Sequence, residues 1–218
     1  MTRSNSRGAG SNPFSTRFVR PGAIEYLFAT GTNAAPLVDR LAECGWRGQI
    51  IGPHGSGKST LVISLLEPIA KAGRRPFVVR LLEGQHRMPA GWIRDTQRAS
   101  ADLIVIDGYE QLSYWNRWRL QSRVRQLGWG LLATAHRDVG LPTLFCTESS
   151  LETAQAIVRR IMSGYSTGIA GEAVAACFAA CKGDLRETLF ALYDLYEAEL
   201  PLRENPTVHR AEQNDSAA

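Results

Sequence analysis

Two hydrophobic rhythms divide this chain. In the first part, short runs rich in apolar residues recur: Gln49-Ile50-Ile51, Pro76–Leu82, Ala101–Asp107, Gly130–Thr134 and Thr143–Thr147, the third the most continuous. Each is the length of a strand, and continuity without polar alternation is what a strand covered on both faces requires. Between them lie stretches of helical spacing. Asn33 to Cys44 reads as one helix, with Asn33 at its start and Gly45 at its stop. A second begins at Lys58, meets Pro68 and kinks or restarts there before Gly73, and a third runs from Tyr114 to Leu127. Glu83–Gly91 carries Gly, His and Pro and reads as a surface loop. Strands alternating with helices predict an α/β domain around a five-stranded parallel sheet.

The second rhythm begins after Glu148, where no further strand is written. Ser149-Ser-Leu-Glu152 forms a capping box, and Leu151, Ala154, Ile157, Val158 and Ile161 make an apolar stripe. Another helix spans about Ala170–Lys182, ending at Gly183. Asp184 caps a third, with Leu185, Leu189, Leu192 and Tyr196 facing inward until Pro201 stops it. The resulting division is a polar, disordered tail over 1–16, an α/β domain over 17–148 opening with an extended Arg17-Phe18-Val19, an all-helical unit over 149–200, and a second polar tail over 201–218.

One loop in this scheme carries chemistry. Gly52-Pro53-His54-Gly55-Ser56-Gly57-Lys58-Ser59-Thr60 satisfies G-x-x-x-x-G-K-[ST], between a strand end and a helix start. Small residues let successive amides turn inward around phosphates, and the helix that follows presents its positive end to them. A phosphate loop of this kind binds a nucleoside triphosphate, with Lys58 reaching the terminal phosphates and the Ser59 hydroxyl ligating Mg2+. His54 stands at a variable position and reads as merely tolerated. Asp107 ends the most apolar strand, where a carboxylate holds that metal. Glu110, three residues on, is the nearest carboxylate to orient an attacking water. Thr134 ends the fourth strand and could meet the terminal phosphate or the water, or be only a β-branched strand end. His136 and Arg137 follow it, each a phosphate sensor or loop surface. No guanine-selective Asn-Lys-x-Asp stretch is present, which tilts the base toward ATP.

Composition narrows the class. A content of 44% hydrophobic and 21% charged residues is that of a globular protein, and no apolar run is long enough to cross a bilayer. The N-terminus lacks the apolar stretch of a secretory signal, and the four cysteines have no framework spacing, so the expected compartment is the cytoplasm. Cys177 and Cys181, four apart, read as small buried hydrophobes rather than a metal site. The net charge of +4 is unevenly spread: Arg117, Arg119, Arg123 and Arg125 fall between Gln111 and Trp129 with no acid, among Trp115, Trp118 and Trp129. That mix could grip DNA. The preferred reading is plainer: a solvated helix whose tryptophans anchor in the core, as Leu120, Val124 and Leu127 at helical spacing suggest.

Taken together, the phosphate loop, the five strands and the three-helix end resemble AAA+-type P-loop ATPases over residues 17–200. Gly183-Asp184-Leu185-Arg186 is similar to the sensor 2 motif of origin-recognition proteins and clamp loaders. The resemblance implies that the helical unit is a lid and that Arg186 reaches from it to the γ-phosphate. Two features depart from the pattern. Asp107-Gly108-Tyr109-Glu110 stands where hydrolysing members carry Asp-Glu, and resembles the STAND/NACHT branch of slow nucleotide switches, whose strand-end Thr-x-Arg is loosely like Thr134…Arg137. The segment Gly140-Leu-Pro-Thr143 lacks the arginine finger of clamp loaders. The function expected is Mg2+-dependent, slow ATP hydrolysis coupled to lid movement and to a protein partner. The alternatives are a switch with negligible turnover and a DNA-associated loader or transposition accessory. A small-molecule kinase fits less well.

Overall fold

The computed structural model describes residues 12–15, 20–28, 33–163, 165 and 169–204. The chain forms two compact units: residues 21–149, and the C-terminal helices together with the N-terminal residues up to Arg20.

The first unit is built on β1 (Arg47–Ile51), β2 (Pro76–Arg80), β3 (Leu103–Asp107), β4 (Gly130–Ala135) and β5 (Thr143–Cys146). All pairings are parallel, in the order β2-β3-β4-β1-β5. The period-2 geometry of a strand explains why the apolar runs are continuous. In β3, Leu103 and Val105 join one core with Leu132, Ile50 and Leu144, while Ile104 and Ile106 join a second with Leu131, Ala133 and Val79. The first core is capped by helices α1 (Ala35–Glu43) and α2 (Lys58–Lys71), through Val38, Leu41, Leu61, Leu65 and Ile69. The second is capped by α4 (Tyr114–Gln126), through Leu120 and Val124. Each fully buried Leu or Ile contributes about 1.5–3 kcal/mol, and a polar residue inside these strands has to be hydrogen-bonded, as buried Gln49 in the middle of β1 is to Asp138 and Thr143.

Three local features differ from the sequence reading. Helix α2 runs unbroken through Pro68, which sits in its last turn. A short helix, α3 (Trp92–Arg98), follows the 83–91 loop where none was anticipated. Of the three tryptophans near α4, Trp129 packs on the second core, but Trp115 and Trp118 are 70% and 57% exposed. The expectation that all three anchor inward is therefore corrected: both outward tryptophans sit on the helix face opposite Leu120 and Val124.

The second unit contains α5 (Leu151–Met162), α6 (Gly171–Ala180) and α7 (Leu185–Glu204), with α6 packed on both neighbours. Val158, Ile161, Val174, Leu192 and Tyr196 are buried. The cap of α5 falls one residue later than the capping box predicts, with Ser150 Oγ accepting from Thr153 N. Asp184 caps α7 as expected, Oδ1 accepting from Arg186 N at 2.8 Å and Glu187 N at 3.0 Å. The helix continues past Pro201 to Glu204, so that proline does not end it. The N-terminal tail also needs correction over residues 12–15. Phe14 is fully buried, edge-on to Tyr196 at 6.2 Å. Asn12 Nδ2 donates to the Tyr193 carbonyl and to Glu197 Oε1. A single aromatic anchor thus ties this segment to α7. Arg17–Val19 and residues 205–218 lie outside the described residues. Among the described residues, no helix is long and apolar enough to cross a membrane.

Candidate functional site

The carboxyl ends of the strands bring the chemistry together. Register places Ile51 beside Ala135 and Arg80 beside Asp107, so the ends of four strands lie in a row. The loop after β1 is held open by glycines and closed by threonine. A Cβ on Gly52 would overlap the hydroxyl and carbonyl of Thr147. Gly55 and Gly57 adopt left-handed backbone, at φ 63° and 89°. Ser56 Oγ donates to the Pro53 carbonyl at 2.8 Å and lies 2.6 Å from Thr147 Oγ1. Gly57 precedes α2, so Lys58, Ser59 and Thr60 form the helix's first turn with their amides toward the loop. Pro53 and His54 are exposed. Thr60 supports the helix, its carbonyl accepting from Ser64 Oγ.

Lys58 is buried, and its ammonium donates to the carbonyls of Gly52 (2.7 Å) and Pro53. Ser59 Oγ donates to Asp107 Oδ1 at 3.0 Å. This hydroxyl–carboxylate pair, one from the loop helix and one from β3, is the donor set expected to hold a magnesium ion beside a triphosphate. Asp107 has further partners. Thr134 Oγ1 donates to the same oxygen at 2.8 Å, and Arg80 Nε lies 3.2 Å from Oδ2. Thr134 also accepts from Gly108 N at 2.9 Å and is 1% exposed. Its hydroxyl therefore fixes the carboxylate and the turn after β3.

Glu110 lies in the 3₁₀ turn Tyr109–Gln111. Its Oε1 is 2.7 Å from His136 Nε2, and its Oε2 is buried with no hydrogen-bond partner. A buried carboxylate oxygen without a partner costs about 1–3 kcal/mol, which is tolerable where it serves a ligand or water. His136 stands at the centre of the group. Its Nδ1 is 3.3 Å from Lys58 Nζ, and its ring stacks on His54 at 3.6 Å and 28°. Burial lowers its pKa, Lys58 and His54 lower it further, and Glu110 and the Gly52 backbone oppose them. A neutral ring satisfies both contacts, donating from Nε2 to Glu110 and accepting at Nδ1 from Lys58.

One residue here was not singled out from the sequence. Arg80 is readable only as the last residue of β2, in register with Asp107. The stacking partner of His54 is set by the approach of β4 to β1, which no local pattern announces. Arg137 is exposed. In the helical unit, Arg186 is exposed at the start of α7, with its guanidinium 5.7 Å above the Phe190 ring. Of the four arginines on α4, Arg117 is structurally committed: it donates to the carbonyls of Leu112 and Glu110 and lies over Tyr109. Among the described residues no group of three or more His, Cys, Asp or Glu forms a metal site of its own. Cys177 and Cys181 are free and half-buried.

Comparison with known proteins places this arrangement. No family model matches the chain, and no curated protein matches it by sequence. Solved structures do match. AMPPCP-bound DnaA from Aquifex aeolicus superposes with a TM-score of 0.54 at 13% identity, over 86% of this chain and 68% of that one. A DNA replication initiation factor gives 0.51 at 15% identity, over 81% of this chain and 62% of its own length. These likenesses are of fold: the chain has the α/β P-loop fold of those structures. Within that fold, a parallel five-stranded sheet bears the phosphate loop at the carboxyl end of β1, and a small helical unit follows.

Proposed function

We propose that this chain binds ATP with magnesium and hydrolyses it slowly, coupling the phosphate state to movement of its helical lid and to a protein partner. The observation that carries this reading is the convergence on one loop of Lys58, the Ser59–Asp107 pair and the orphaned buried oxygen of Glu110. Residues 52–60 would cradle the phosphates with their amides, and Lys58 would turn from the loop carbonyls to the terminal phosphates. Ser59 and Asp107 fit a magnesium ion, which would neutralise developing charge on the phosphate oxygens when bound. Glu110 would hold a water through Oε2 and take its proton as the water oxygen bonds to the γ-phosphorus. The bond to the β-phosphate oxygen breaks as that one forms, and ADP leaves with the electron pair. Thr134 acts by fixing Asp107. The role of phosphate reporter falls to His136, the residue after β4, which touches both Lys58 and Glu110. Arg186 is the lid residue suited to a γ-phosphate contact, since guanidinium makes strong charge-assisted bonds to phosphate. Both matched solved structures share this fold, and one of them is bound to AMPPCP.

A second reading, a switch with negligible turnover, is favoured by a specific feature. The residue after Asp107 is Gly108, and the carboxylate of Glu110 reaches the site from the following turn. One pair of variants separates the readings. Lys58→Ala is expected to abolish binding of a fluorescent ATP analogue, and Glu110→Gln to retain binding while stopping phosphate release. Turnover that survives Glu110→Gln removes Glu110 from the chemistry. Tight binding with no turnover in the unmodified chain establishes the switch.

A further inference from the structure

We propose that the outward face of α4 is a binding surface for a single nucleic-acid strand, with Trp115 and Trp118 stacking on bases and Arg119, Arg123 and Arg125 holding the phosphates. The inference does not depend on nucleotide hydrolysis.

A helix of this length has one side committed to the core. Here Leu120 and Val124 supply it, and Arg117 is tied to the carbonyls of the preceding turn. The opposite side carries Trp115, Trp118, Arg119, Ser122, Arg123 and Gln126, at spacings that place them along one stripe. Tyr114, Trp115 and Trp118 are 79%, 70% and 57% exposed. Aromatic rings are the most valuable groups to bury, so three left in solvent on adjacent turns mark an interaction surface. The two tryptophans are already set against each other, 6.0 Å apart at 86°, which limits the rotamer freedom a ligand would have to remove.

The chemistry of the surface selects the occupant. No acidic residue occurs between Gln111 and Trp129, and the exposed cations are all arginine. A protein groove would be expected to add aliphatic side chains, whereas the stripe holds aromatic and guanidinium groups with only the polar Ser122 and Gln126 among them. Both of these groups bind stacked bases, and guanidinium binds phosphate. Trp115 to Arg125 spans about 15 Å along the helix, enough for a short stretch of strand. A duplex keeps its base faces stacked away, so open rings fit a single strand.

The test uses the full-length protein and a short fluorescein-labelled oligodeoxythymidine, followed by anisotropy at low and moderate salt and by quenching of tryptophan emission. Binding to the strand is expected to exceed binding to a duplex of equal length. Trp115→Ala and Trp118→Ala should each weaken it about 5- to 150-fold. Each substitution Arg119→Gln or Arg123→Gln should reduce the salt slope by about 0.7. Trp118→Phe should restore part of the loss. These residues are exposed, so the variants' melting temperatures should match the parent, and their ATP-analogue affinity should be unchanged. The proposal is overturned by any of four results: no strand binding at low salt, equal or tighter duplex binding, alanine variants that bind normally, or a self-associating protein whose dimer is lost with Trp118→Ala. The last would make the face an interface between copies.

Discussion

Replacing Gly108 with glutamate would write Asp-Glu at the end of β3 and supply a carboxylate directly after Asp107. The structure predicts that this apparent repair damages the protein. Gly108 has φ 89°, a left-handed conformation that costs a side-chain-bearing residue about 1–2 kcal/mol. Its Cβ would lie 2.8 Å from the Leu81 carbonyl oxygen. That oxygen belongs to backbone at the end of β2 and cannot rotate away, so relieving the overlap adds about 1–3 kcal/mol of overpacking cost. The Gly108 amide also donates to Thr134 Oγ1, which in turn holds Asp107, so any shift of this turn is transmitted to the carboxylate. A total of about 2–5 kcal/mol corresponds to a fall in melting temperature of roughly 4–20 °C for a chain of this size. Thermal melts followed by circular dichroism measure it, with Gly108→Ala as a control for the backbone alone. The two variants should be destabilised comparably, and neither should hydrolyse ATP faster than the parent. A Gly108→Glu protein that melts with the parent and turns over faster would refute the argument that backbone geometry fixes this glycine.

Three further outcomes follow from the same geometry. Phe14→Ala removes a fully buried ring from the helical unit and should cost it about 3–5 kcal/mol. Hydrogen exchange would read this as lost protection in α5–α7 with β1–β5 unchanged. His136 has a lowered pKa when folded, so between that value and about 6.5 the unfolded chain binds more protons and stability rises with pH. Stability is therefore lost as the pH falls below about 6.5, and His136→Gln should flatten the melting temperature between pH 5 and 7. Arg80 is the cation beside Asp107 Oδ2 at 3.2 Å and is half-exposed. Arg80→Ala should change stability by no more than about 1 kcal/mol and lower the magnesium concentration needed for half-maximal nucleotide binding. An unchanged or raised requirement would show that Arg80 does not compete for that carboxylate.

The parts of this molecule legible in its sequence are those governed by short-range rules. Strands buried on both faces have to be apolar throughout, and Leu103–Ile106 could be read as one before any neighbour was known. Asp184 declared itself as a cap because an Asx side chain at a helix start has one thing to do, and it does it through Arg186 and Glu187. The phosphate loop was readable for a similar reason: glycines at fixed spacing are required by backbone that must curl without side-chain interference. The expectation of a disordered tail fails at residues 12–15 because one Phe in a polar stretch carries little local signal, although a single buried ring suffices to anchor a segment. Trp115 and Trp118 misled for the opposite reason, since hydrophobicity states what a residue would gain by burial and not which side of its helix faces the core.

By itself, then, the sequence determined the covalent inventory and the local conformations: the runs that become strands, the loop that curls around phosphate, the caps, and the Asp at the end of β3. Tertiary structure decided which of those groups meet. The order β2-β3-β4-β1-β5 sets Arg80 beside Asp107 and brings His136 between Lys58 and Glu110. Those neighbours are 26 to 78 positions apart in the chain. Their meeting depends on strand pairing at long range, which is fixed by the summed burial of both cores and not by any motif at the residues themselves.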